Sequence, residues 1–182
     1  FLLNNLRDIE RTGDIRSYKK DLVDLYVNRD QHSFSTQVTD LDNIQNPSIH
    51  SLLSSKYHEA QMHRLNIHAE IPDPVIHNYL TDLDLAVVLG HLMDNAIDGA
   101  RKASEGFISL AYFDEEDCQS FIIESTIADE QMPLSMMSTR LSHPEGGIGV
   151  NAVQDILERY PNTSFSVRSQ NHKMMQILEM RP

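Results

Sequence analysis

The chain has 182 residues, 40% hydrophobic and 23% charged, which excludes the disordered and fibrous classes and suffices for a core without staples. A single cysteine, Cys118, excludes an internal disulfide framework and a four-cysteine zinc site. The formal net charge of −12 lies wholly in residues 31–182, which argues against nucleic-acid binding and against rest on an anionic lipid surface.

Residues 1–65 carry helical spacing. Leu2, Leu3, Leu6 and Ile9 form one apolar stripe, broken at Thr12-Gly13-Asp14 and resumed by Ile15, Tyr18, Leu22, Leu25 and Tyr26. Residues 28–46 are polar with sparse apolar positions at Phe34, Val38, Leu41 and Ile44, compatible with a continued helix with a thin seam. Asn46-Pro47-Ser48 marks a break and a helix start, followed by Ile49, Leu52, Leu53, Tyr57, Ala60 and Leu65. These features predict a helical dimerisation hairpin over residues 1–64, since thin seams on long helices serve pairing. No stretch approaches the roughly eighteen apolar residues that a membrane span needs. Phe1 opens without Met in the middle of a stripe, so the chain reads as a fragment of a longer protein, its hairpin truncated at the N-terminus.

A second domain is expected over residues 65–182. Asn66–Ile71 alternates and ends at Pro72, as a strand does. Asp82–Ala103 is the best helix of the chain, with Leu85, Val88, Leu89, Leu92, Met93, Ala96, Ile97 and Ala100 on one face. Phe107–Phe113 and Ser120–Ile127 read as strands around an acidic turn at Asp114–Asp117. Met132–Glu145 reads as a long loop, Val150–Tyr160 as a helix ended by Pro161-Asn162, and Ser164–Arg168 with Met174–Met180 as a strand pair. That order predicts an α/β sandwich with a mixed sheet and a helical layer.

Two features carry chemistry. His91, Asn95, Asp98 and Lys102 form a polar line beside the apolar face of the strong helix. Such a line is ordinarily a solvated edge, but an Asn close to an apolar stripe needs a partner for its amide. Its carbonyl oxygen is a hard ligand suited to Mg²⁺. The second feature is Gly146-Gly147-Ile148-Gly149 before a helix. Glycines let backbone approach a ligand, and a helix start offers free N–H groups to phosphate. Taken alone it is a turn, and it matches neither the dinucleotide fingerprint nor the P-loop. The histidines have no zinc-site spacing, the methionines suit packing, and no Gly-x-Ser-x-Gly elbow exists.

Together the two features resemble the GHKL-type ATPases. Leu89-Gly90-His91-Leu92-Met93-Asp94-Asn95-Ala96-Ile97-Asp98 is similar to their N box, and Glu145-Gly146-Gly147-Ile148-Gly149-Val150-Asn151 to their G box. More narrowly, the chain resembles the peptide-sensing histidine kinases of Gram-positive quorum sensing, of the AgrC and ComD kind. Ser138-Thr139-Arg140 stands where that subfamily carries Ser-Thr-Lys, and Ser51–Lys56 resembles its segment leading into the ATP-binding domain.

The resemblance implies a Bergerat-type ATP-binding domain, ATP and Mg²⁺ as cofactors, and transfer of the γ-phosphoryl to a histidine for relay to a response regulator. It implies a homodimer through the N-terminal helices, no nucleic-acid partner, and a place on the cytoplasmic side of the membrane, reached through a preceding region. Asn95 would hold Mg²⁺, Gly147 and Gly149 would bring a lid over residues 129–146 to the phosphates, and Arg140 would be the lid cation. Asp98, Lys102, Ser125 and Asn151 complete the implied nucleotide site.

Two positions depart from the family pattern. His91 replaces a first Asn, as a phosphate contact or a structural histidine, and Ser125 stands where the subfamily carries an Asn for adenine. The Asp-x-Gly-x-Gly segment with which the wider family binds adenine is absent. The acceptor histidine is expected just before Phe1; in an alternative register Lys20 takes its place, which makes the kinase silent. The rival functional reading is a degenerate GHKL domain that dimerises or sequesters a partner. An anti-sigma-factor serine kinase fits the helical arm poorly.

Overall fold

The computed structural model describes residues 40–131 and 151–182. The expected helices before residue 40, the loop over 132–145, Arg140 and the Gly146–Gly149 segment lie outside the described residues. The described residues belong to a single folded unit.

Residues 40–43 form a 3-10 turn rather than the continued helix expected there. The local reason is tertiary. Ile44 bridges to Val75 in parallel, Gln45 N–H donates to the Val75 carbonyl at 3.0 Å, and Leu41 and Ile44 are drawn into the core. Helix α1, Pro47–Met62, then starts where the break predicts. Asn46 Oδ1 accepts from Ser48 N–H at 3.0 Å and Ile49 N–H at 3.3 Å, and Pro47 occupies the first turn, where no N–H is missed. The helix ends on Arg64 at φ 60°, with Leu65 N–H returned to the Ala60 carbonyl at 3.0 Å. Its inner face buries Ile49, Leu53, Tyr57 and Ala60.

Strand β1, Asn66–Glu70, leads through a loop to helix α2, Asp82–Lys102. Thr81 caps α2 by accepting from Asp84 N–H at 3.3 Å. Asp82 and Asp84 in the first turn, and Arg101 and Lys102 in the last, suit the helix dipole. All eight apolar residues predicted for its inner face are buried, each at 2% exposure or less. A fully buried side chain of that kind contributes about 1.5–3 kcal/mol, so this face anchors the fold.

The sheet has five strands in the order β1-β2-β3-β5-β4, with β2 Phe107–Glu115, β3 Cys118–Thr126, β4 Thr163–Gln170 and β5 Lys173–Met180. β1 and β2 are parallel, which requires a crossover, and α2 supplies it. All other pairings are antiparallel. The sandwich of helices on a mixed sheet is the architecture expected from the element order.

Both hairpins are tighter than the sequence suggested. β2 and β3 run to Glu115 and Cys118 and turn on Glu116-Asp117 alone. The acidic residues 114 and 115 looked like turn, but their backbones stay in the ladder opposite Gln119 and Cys118. β4 and β5 turn on Asn171 and His172, at φ 53° and 58°, a pair of left-handed residues that matches the strand twist. Helix α3, Asn151–Glu158, precedes β4.

Candidate functional site

On β3, Phe121, Ile123 and Ser125 share the face toward α2, because paired residues keep one face and side chains alternate. The core lies between that face and α1, α2 and α3. Gln176 of β5 pairs with Ile123, and its Nε2 donates to the Leu92 carbonyl of α2 at 3.0 Å, wholly buried. That bond joins the sheet to the middle of α2, one residue from His91 and three from Asn95.

The polar line lies along α2 as its spacing predicts. His91, Asn95 and Asp98 are half-buried and Lys102 is exposed. Asp98 Oδ1 faces Arg101 at 3.9 Å. Ser125 is fully buried at the end of β3 and close to α2: its Oγ lies 3.8 Å from where a Cβ on Gly99 would stand. Asn95 and Gly99 are one helical turn apart, about 6 Å along the axis. Ser125 thus meets α2 at Gly99, one residue after Asp98 and one turn after Asn95. Arg140, Gly147 and Gly149 lie outside the described residues, and Asn151 is placed only as the first residue of α3.

Three interactions escaped the sequence reading. Lys56 of α1 donates to Asp94 at 2.5 Å and to Glu59 at 2.8 Å, beside Asn95. Burial works against its charge, but the hydrogen bonds to Asp94 and Glu59 outweigh it and hold the ammonium pKa above its ordinary value. The second is Gln176 on Leu92. The third is Asp84, which accepts from Tyr160 Oη at 2.6 Å and from Arg159 at 2.8 Å. The Tyr160 bond foremost keeps its carboxyl below the usual range. This cluster ties the residues just after α3 to the first turn of α2. Only Asp84 left a local trace, in the cap pattern Thr81-x-x-Asp84. The others join residues far apart in sequence.

Chemically, the end of this line offers an amide, a carboxylate and a buried hydroxyl. Asp94 and Asp98 flank Asn95, so a polyphosphate laid here meets like charge and needs a bridging divalent cation. Among the described residues no group of three or more His, Cys, Asp or Glu could hold a metal. One amide oxygen together with ligand phosphates is still a usual Mg²⁺ arrangement.

A sequence model described as the GHKL domain matches residues 80–181, more than half of the chain. A search of curated proteins finds no match. Among solved structures, the nucleotide-free catalytic domain of histidine kinase ThkA aligns at TM-score 0.58 and 14% identity, covering 75% of this chain and 90% of that one. Histidine kinase AdeS of Acinetobacter baumannii aligns at 0.54 and 16%, covering 74% and 62%. A structure of ThkA in complex with response regulator protein TrrA aligns at 0.57 and 14%, covering 75% and 40%. At such identities these likenesses establish the fold that the chain shares with histidine kinase catalytic domains.

Proposed function

The chain belongs to the GHKL domain family, and on that premise we propose that it is the ATP-binding and kinase portion of a two-component sensor histidine kinase. It transfers the ATP γ-phosphoryl to a histidine, from which a response regulator takes it. The observation that carries this reading is the α2 line. Asn95 is half-buried next to a wholly buried apolar face, one turn before Gly99, within the segment that the family model matches.

In this reading residues 1–64 are the dimerising part and 65–182 the catalytic part. The upstream protein senses a peptide pheromone at the membrane, in line with the sequence resemblance. Among the described residues no helix is long and apolar enough to cross a membrane.

Asn95 holds Mg²⁺, which neutralises phosphate charge when bound. Lys56 neutralises part of the charge of Asp94, the residue before Asn95. His91 and Lys102 would contact the phosphates, and Asp98 would complete the nucleotide site. Arg140, Gly147 and Gly149 act from the segment between β3 and α3, and Asn151 from the start of α3. Positioning and charge neutralisation are most of what phosphoryl transfer asks of a protein.

The test is calorimetric titration of ATP with and without Mg²⁺. The wild-type protein binds Mg-ATP. Asn95→Ala keeps the helix, since alanine is a good helix former, and loses at least tenfold in Mg²⁺-dependent affinity, about 1.4 kcal/mol. Unchanged affinity in that variant ends the assignment of Asn95. No ATP binding by the wild type favours the dimerising or sequestering module instead.

A further inference from the structure

Tyr160 stands between α3 and β4 and is tied to both ends of its surroundings. Its Oη donates to Asp84 Oδ2 at 2.6 Å and accepts from Thr81 N–H at 3.2 Å. Its carbonyl accepts at 3.0 Å from the N–H of Thr163, the first residue of β4. Arg159 Nη2 donates to the other carboxylate oxygen, Asp84 Oδ1, at 2.8 Å. Both oxygens of a carboxylate that is only 8% exposed are thus engaged by the two residues that follow α3. Hydrogen bonds to a charged group are the strong ones, so this is a firm tie.

Helix α3 depends on such a tie. It has eight residues, and a helix that short does not hold itself in water. Of its described side chains, Val153 and Ile156 are buried and Leu157 is half-buried. The tie lies wholly at its C-terminal end, so Asn151 at its start stands about 12 Å away, at 1.5 Å per residue. A tilt of about 10° around the tied end moves Asn151 by about 2 Å over that length.

The point of attachment on α2 matters equally. Asp84 precedes Asn95 by eleven residues and His91 by seven. Those separations are close to about three turns and about two turns of helix, so Asp84 begins the same line on α2 that His91 and Asn95 continue. The end of α3 is therefore fastened to the face of α2 that carries Asn95, and both are referred to one rigid helix.

We infer that Asp84, Arg159 and Tyr160 are positioning residues of the nucleotide site: they set the angle of α3 against α2, and with it the placement of Asn151 relative to Asn95. This rests on the nucleotide-binding reading above and goes beyond it, since the three residues act through α3 and not on the ligand. Groups that grip one ligand from two elements lose their joint hold when the elements shift by an ångström or two.

The test combines Mg-ATP calorimetry with hydrogen exchange on the whole chain. Tyr160→Phe keeps the ring and removes both bonds of the hydroxyl. In the nucleotide-free protein, exchange over residues 155–160 then speeds up about tenfold or more, while that of the middle of α2 and of β3 stays within about twofold. Measured well below the melting temperature, Mg-ATP affinity falls about fivefold or more, roughly 1 kcal/mol. Arg159→Met acts in the same direction, and Arg159→Lys, which keeps a charged donor, recovers part of the loss. A cluster that served stability alone would lower the melting temperature and leave the affinity of the folded protein unchanged. Faster exchange in α3 with unchanged Mg-ATP affinity overturns the inference and leaves the kinase reading standing. So does unchanged exchange in α3, which would show that the cluster does not hold the helix. A wild type that does not bind Mg-ATP overturns both. If Tyr160→Phe does not fold, Arg159→Met and Arg159→Lys decide by the same two measurements.

Discussion

Lys56 sits on α1 with Asp94 at 2.5 Å and Glu59 at 2.8 Å, and its side chain is only 20% exposed. A lysine so placed is worth more than a free surface pair, because its charge is partly desolvated and two carboxylates share it. Lys56→Met keeps the aliphatic stem and removes the charge. We expect a loss of about 1 kcal/mol in urea unfolding, on the scale of a good ion pair, and recovery in Lys56→Arg. An unchanged denaturation midpoint in Lys56→Met would show that the pair contributes nothing to the fold. The polar line of α2 was readable from spacing because its residues lie one turn apart on a single helix. Lys56 was not readable as its companion, because nothing local links positions 56 and 94.

Elements meet closely at the few places where a side chain is missing. Gly106, between α2 and β2, is the tightest among the described residues. A Cβ there would stand 2.4 Å from Leu65 Cδ2 and 3.0 Å from the Ala100 carbonyl, and the Gly106 carbonyl accepts from Asn66 N–H at 2.9 Å. Leu65 is buried and a backbone oxygen cannot swing aside. Gly106→Ala should therefore cost about 1–3 kcal/mol, the usual scale of overpacking. A melting curve would show it, and a variant as stable as the wild type would mean that α2 and β1 can shift apart freely. The strands themselves were legible from alternation, but their ends were not. Asp114 and Glu115 have turn-like chemistry, yet ladder bonds to β3 keep them extended.

At the scale of the whole molecule, Asp84 joins segments 75 and 76 residues apart, accepting from Arg159 and Tyr160. Its carboxyl pKa is lowered in the folded state, so its stabilising contribution is complete above the unfolded value of 3.8 and is lost as pH falls through the folded one. The wild type should lose stability on acidification in that window. Asp84→Asn should be less stable at neutral pH by about 1–3 kcal/mol, the scale of hydrogen bonds to a charged group, and should show a flatter acid limb. Parallel acid limbs for the two proteins would place the acid sensitivity elsewhere.

The same cluster marks the limit of reading a chain from its letters. Helix α2, its buried face, the succession of strands along the chain and the place of Asn95 on α2 follow from periodicity and spacing, which are local properties of consecutive residues, whereas the order of the strands in the sheet does not. The GHKL resemblance followed for the same reason, since each of its two motifs is a short continuous run. Folding alone decided that residues 40–43 turn instead of continuing a helix, because Ile44 finds Val75. Folding alone also brought Arg159 and Tyr160 to Asp84, Gln176 to Leu92, and Lys56 to Asp94. It left Ser125 buried without a partner at the seam beside Gly99. Each of these depends on which residues become neighbours across the core, and that is set by packing of whole elements rather than by the chemistry of any one stretch.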